Sequence, residues 1–112
     1  MDRDLGAIVD IVLAARDLAE LLRGVTKEEF LRQKFILAAA VRQLEIVGEA
    51  TKRLTPEFRE RHPSIPWRDM AGMRDRLIHA YDDLDLDRVW EAATERLPEV
   101  SAYLEPLLPS DP

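Results

Sequence analysis

The sequence predicts an all-α fold: an up-and-down helical bundle of four main helices with one short extra helix. Four stretches repeat apolar residues at i, i+3 and i+4, the spacing that lines one face of a helix. No stretch alternates apolar and polar residues as a half-buried strand does. The punctuation agrees, because Gly24, Thr26, Thr55–Pro56 and Asp85 stand where helices stop and start. The 112 residues suffice for one hydrophobic core. They read as one helical domain over 1–108 with a frayed tail at 109–112.

The first helix carries Leu5, Ile8, Val9, Val12, Ala15, Ala19 and Leu22 as a stripe, with Ile11, Leu18 and Leu21 beside it. Gly24 ends it, since glycine takes positive φ without a Cβ penalty. The next start is "VTKEEF". Thr26 caps, Glu29 completes a capping box, and Val25 with Phe30 forms a hydrophobic staple. That helix runs to about Leu54 on Phe30, Leu37, Val41, Leu44 and Gly48, widened by Ile36, Ala40 and Val47. A glycine costs a helix interior about 1 kcal/mol relative to alanine. Gly48 therefore marks a close approach between helices. Thr55 and Pro56 open the short extra helix, with proline at the first helical position. Pro63 and Pro66 break and restart the chain. The third main helix runs from about Pro66 to Ala80 with Trp67, Met70, Met73 and Leu77. Asp85 caps the last helix, whose buried face is Val89, Trp90, Ala93, Leu97, Val100, Tyr103 and Leu104. Pro98 lies inside that pattern and is expected to kink or break it.

Composition narrows the function. Cysteine is absent, which removes disulfides and thiolate metal sites. No apolar run approaches the roughly 18–20 residues of a membrane span, and "MDRDLGAIVD" is unlike a signal peptide. A cytoplasmic protein is expected. The net charge of −6 argues against a general nucleic-acid surface, but its distribution is uneven. Residues 1–51 carry net −2, residues 52–76 net +3 and residues 77–112 net −7. The basic island comprises Lys52, Arg53, Arg59, Arg61, Arg68, Arg74 and Arg76, enough for a local phosphate site. The apolar arcs of the first two helices are wide, as at a dimer face.

Several chemistries are excluded. Asp83, Asp85 and Asp87 start like a calcium loop, but Arg88 stands where glycine should and Thr94 where glutamate should. The acids suit a solvated helix N-terminus instead. There is no phosphate-cradling glycine-rich loop, no paired histidines for zinc and no serine–histidine–acid pattern. No metal and no cofactor is expected. His62, beside Pro63, reads as an exposed loop histidine.

The stretch "GMRDRLIHAY", Gly72 to Tyr81, gathers Arg74, Asp75, His79 and Tyr81. Arg74 and Tyr81 lie about 20° apart around a helix, whereas His79 is turned about 140° from Arg74. Asp75 and His79 are i, i+4 neighbours that can hydrogen-bond, orienting the imidazole. One straight helix does not focus all four groups, so convergence needs the helix end or a second copy across a two-fold axis. Such groups can cleave RNA. Histidine exchanges protons with the 2′-hydroxyl or leaving oxygen, arginine holds the phosphate, and tyrosine stacks on a base. The same residues also suit a charged helix C-terminus, where Arg and His offset the negative end of the dipole.

Residues 46–100 resemble the HepT-type branch of the HEPN superfamily, and looser similarity extends over nearly the whole chain. The family pattern is Arg, a polar residue, three further residues, His, any residue, Tyr. Here it reads Arg74, Asp75, "RLI", His79, Ala80, Tyr81, preceded by "IPW" and "AGMR" and followed by "DLDLDRVW". Asp75 occupies a place often filled by asparagine. The resemblance implies a homodimeric all-α bundle whose two motif copies line one cleft. It implies a metal-independent ribonuclease, the toxin of a toxin–antitoxin pair of the type VII kind. Arg74 would then bind the phosphate, Asp75 orient the site and His79 act as general acid or base. Tyr81 would lie at the RNA cleft, with Arg68 and Arg76 as candidate RNA-phosphate contacts. The implied partner is a minimal nucleotidyltransferase antitoxin that attaches AMP to Tyr81. The alternative is a non-catalytic dimeric module that binds RNA or nucleotide and partners the transferase.

Overall fold

The computed structural model describes residues 3–79 and 83–109. Over these residues the chain is an all-α bundle, as its periodicity predicts. In order come α1 (Arg3–Leu21), α2 (Lys27–Arg32), α3 (Lys34–Arg53), α4 (Pro56–Arg61), α5 (Trp67–His79), α6 (Leu86–Glu91) and α7 (Leu97–Leu104). A π-helical turn, Ala92–Arg96, joins α6 to α7, and a 3₁₀ turn, Glu105–Leu107, follows. The predicted four main helices are α1, α2 with α3, α5, and the α6–α7 run; α4 is the short extra one. The expected fraying of 109–112 falls, from residue 110 on, outside the described residues.

Helix α3 is the spine, packing along α1 on one side and α5 on the other. Its core line is Ala40, Val41, Leu44, Val47 and Thr51, all at most 2% exposed. On α1 the centre of the buried face is Ala7, Ile11, Ala14 and Leu18, flanked by Ile8, Val12 and Ala15. This differs from the predicted stripe by a fraction of a turn, and Ala19 is exposed. The arc is wide enough for two centres, and the positions of α3 and α7 select between them.

The predicted starts are present. Thr26 and Glu29 form a reciprocal capping box. Thr55 caps α4, its Oγ1 accepting from the Phe58 amide at 3.2 Å, with Pro56 next. The buried Asp4 carboxylate accepts from the Thr55 amide and hydroxyl, both at 2.7 Å, which fastens the start of α1 to that cap. Asp85 caps α6 through the Arg88 amide. Gly24 has φ +75°.

Two departures have physical causes. The helix predicted from Thr26 to Leu54 is interrupted at Gln33, whose backbone is extended (φ −94°, ψ 96°). The break uncouples α2 from the axis of α3, and Phe30 packs in a tilted arrangement against Trp90 at a centroid distance of 5.1 Å. Pro98 does not break the last helix. Proline lacks an N–H and its ring crowds the carbonyl four residues back. The turn before it widens instead, the Leu97 amide bonding to the Ala92 carbonyl. The Thr94 hydroxyl donates to the Trp90 carbonyl at 2.8 Å inside that turn.

Candidate active site

The site begins at Gly48. A Cβ there would overlap the Cβ of Arg74 and come 3.1 Å from its Cα. Helices α3 and α5 therefore meet backbone to backbone at this point, as the glycine predicts, and the contact residue opposite is the motif arginine. Gly48→Ala must push α5 away. Overpacking costs about 1–3 kcal/mol, while the better helix former returns about 1 kcal/mol. We expect a net loss of up to about 2 kcal/mol, read in the denaturant midpoint, towards the upper end because the obstructing atoms belong to the backbone and Cβ of α5.

One turn further along α3 stands Lys52. Its Nζ donates to Asp75 Oδ1 at 2.6 Å, and Arg74 NH1 donates to the same oxygen at 3.1 Å. The Lys52 ammonium first, and the Arg74 guanidinium second, hold the Asp75 carboxyl below the usual carboxylate range. Asp75 is thus ionised at neutral pH, and these contacts are lost only as acid protonates it. The carboxylate does not take the partner expected for it. Among the described residues no hydrogen bond joins Asp75 to His79, because the cation arriving from α3 and the adjacent arginine claim the carboxylate.

Arg74 is seated but not used up. Its side chain is 31% exposed, NH1 goes to Asp75, and Nε is buried with no hydrogen-bond partner among the described residues. His79 ends α5 with its side chain exposed. Arg68 and Arg76 are exposed as well. At about 100° per residue, Arg68, His79 and Gly72 share an arc of about 40°, with Arg76 about 40° beyond Gly72. Arg76 folds back over that glycine, its NH1 lying 3.3 Å from where a Gly72 Cβ would be. One outward face of α5 therefore presents Arg68, Arg76 and His79, while Arg74 sits on the side towards α3. Tyr81 lies outside the described residues.

The rest of the basic island is structural. Arg53 pairs with Asp10. Arg59 NH2 donates to the Thr51 carbonyl at 2.8 Å, and Arg61 lies over the Phe58 ring. His62 is not the exposed loop side chain expected. It is half-buried, its Nδ1 lies 2.8 Å from the Tyr103 hydroxyl, and its ring packs tilted against Phe58 at a centroid distance of 4.5 Å. An open cavity of about 350 Å³ beside it is lined by Asp4, Phe58 and Arg61 and includes no motif residue. In the acidic segment, Asp87 forms an ion pair with Lys27 at 3.0 Å. Among the described residues no group of three or more His, Asp or Glu side chains could hold a metal ion. Nor is any helix long and apolar enough to cross a membrane.

Known proteins converge on one family. The family model "Ribonuclease HepT-like" matches residues 11–107. A protein of Thermococcus cleftensis, named "Probable ribonuclease HepT", is 42% identical over 98 residues, covering 88% of this chain and 89% of its own. A "Putative RNase" of Caldanaerobacter subterraneus subsp. tengcongensis is 41% identical over 91 residues, 81% of either chain. Another, from Methanocaldococcus jannaschii, is 39% identical over 107 residues, 95% of this chain and 88% of its own. No solved structure matches.

Proposed function

This chain belongs to the HepT-like ribonuclease family, and from that premise we propose that it is a metal-independent ribonuclease, the toxin of a toxin–antitoxin pair. The observation that carries the reading is Arg74, held against Gly48 with its side chain still 31% exposed, five residues before the exposed His79. In the reaction His79 takes the proton of an RNA 2′-hydroxyl. The 2′-oxygen attacks phosphorus, the bond to the 5′-oxygen breaks, and that oxygen receives a proton. A His79 from one copy can serve as base and that of the second as acid. Arg74 stabilises the charge that builds on the phosphoryl oxygens. The products are a 2′,3′-cyclic phosphate and a 5′-hydroxyl.

The remaining assignments are part of the same proposal. Arg68 and Arg76 form a phosphate track leading to His79, and Tyr81 borders the RNA cleft. Two copies build that cleft, which answers the poor convergence of Arg74 and His79 within one helix. Phe35, 87% exposed near the start of α3, and Leu31, 40% exposed, supply apolar surface for the pairing. The protein acts on cytoplasmic RNA. A minimal nucleotidyltransferase silences it by attaching AMP to Tyr81, because the added phosphate competes with RNA for Arg74. The acidic segment 82–87 offers a docking face to a basic antitoxin.

The test is one preparation in two forms, alone and co-expressed with the nucleotidyltransferase. Alone, it should cut single-stranded RNA in EDTA. Co-expressed, it should gain mass in units of one AMP, lose cleavage, and keep its original mass when Tyr81 is replaced by Phe. RNA that is bound but never cut, with or without EDTA, would instead support the non-catalytic binding module.

A further inference from the structure

Arg74 and Asp75 are adjacent in sequence and bonded in space. Left to themselves they would form a neutral pair. An arginine so engaged is a poor ligand for a phosphate, since binding must compete with the carboxylate. Lys52 changes this balance. It approaches from α3, on the turn after Gly48, and its ammonium lies closer to Asp75 Oδ1 than the guanidinium does, at 2.6 Å against 3.1 Å. The cluster then holds two cations to one anion, and the Arg74 side chain, 31% exposed, shares that anion with Lys52. Both Lys52 and Asp75 are part-exposed, 41% and 49%, so the trio borders solvent that RNA can displace.

We propose that Lys52 is a positioning residue of the ribonuclease site: it clamps the Asp75 carboxylate from α3, so that Arg74 can turn its guanidinium fork to the scissile phosphate. This rests on the ribonuclease reading above. Lys52 acts through Asp75 and need not touch RNA. The bound substrate carries less charge at the reacting phosphoryl group than the transition state does. Losing the clamp therefore weakens the transition state more than the complex.

Lys52→Met keeps the aliphatic stem and removes the ammonium. On single-stranded RNA under steady-state conditions, kcat should fall about ten-fold, with KM within about two-fold. Lys52→Arg, which restores a cation able to reach Asp75, should recover most of the loss. The decisive arm is the Asp75→Asn background, where no carboxylate remains to be clamped. There Lys52→Met should cost nothing further. An equal loss in both backgrounds would make Lys52 a direct phosphate ligand and overturn the proposal, as would wild-type kcat in Lys52→Met. Titration of the Asp75 side-chain carbon by NMR reports on the clamp without RNA. Its midpoint should rise in Lys52→Met and return in Lys52→Arg; an unmoved midpoint overturns the clamp. A wild-type protein that cuts no RNA overturns the ribonuclease reading, and with it this role. A cutting wild type with an indifferent Lys52→Met overturns this role alone.

Discussion

Replacing His79 with alanine is expected to reduce RNA cleavage by about 10²–10⁴-fold, the range that a positioned general acid or base supplies. The protein should otherwise be unchanged. His79 is exposed at the last position of α5 and, among the described residues, makes no hydrogen bond to the Arg74–Asp75–Lys52 cluster. Surface substitutions of this kind usually alter stability by less than about 0.5 kcal/mol. One contribution pulls the other way: a histidine in the last turn of a helix offsets the dipole, a term of at most about 1 kcal/mol when exposed. Single-turnover cleavage, followed beside the thermal transition, separates the two effects. Cleavage at the wild-type rate would remove His79 from the mechanism.

Arg74→Lys is the second large effect, an expected loss of about 10²–10³-fold, comparable with removal of one transition-state donor elsewhere. The substitution keeps the charge and loses the fork. Lysine offers a flexible point charge, whereas arginine presents parallel N–H groups that match two phosphoryl oxygens. Seating matters here as well. The Cα and Cβ of Arg74 rest on Gly48, so the direction of the side chain is set by backbone contact. A lysine in the same place should reach Asp75 rather than substrate, adding to the loss. The variant also tests the two-copy cleft. Mixed and allowed to exchange subunits with His79→Ala, it should recover only part of the activity, since each mixed dimer regains one intact arginine but keeps one of the two histidines that serve as base and acid. Retention of wild-type activity by Arg74→Lys would mean that only charge is required.

Much of this was legible in the residues. The capping box at Thr26, the Thr55–Pro56 start and the Asp85 cap are local signals, complete within a few residues, and the chain obeys them. Gly48 predicted a close approach because its cost demands a packing reason. That the residue opposite is Arg74 was not readable, since helix periodicity says which side faces inward but not which neighbour meets it. Lys52 was missed for the same reason. It appeared in the basic island, and its spacing of four from Gly48 aligns it along one face of α3. Nothing local pairs it with Asp75, 23 positions away. The expected Asp75–His79 bond came from reading one helix alone, and it failed because a second helix delivers a cation to the carboxylate. The break at Gln33 and the π turn before Pro98 likewise answer to the packing of Phe30 on Trp90 and to a ring that must clear a carbonyl. The motif itself carried functional meaning only through its resemblance to a family, because Arg, His and Tyr at that spacing are also common at helix ends.

Cleavage at the end of α5 is proposed to proceed by attack of the RNA's own 2′-hydroxyl. The most direct measurement is the chemistry of the ends that the purified protein leaves, read by mass spectrometry on a defined oligonucleotide cut in EDTA. A 2′,3′-cyclic phosphate on one fragment and a 5′-hydroxyl on the other, with no cut where the reacting nucleotide is 2′-deoxy, is the predicted result. A 5′-phosphate with a 3′-hydroxyl, or cleavage that proceeds through the 2′-deoxy position, would contradict it.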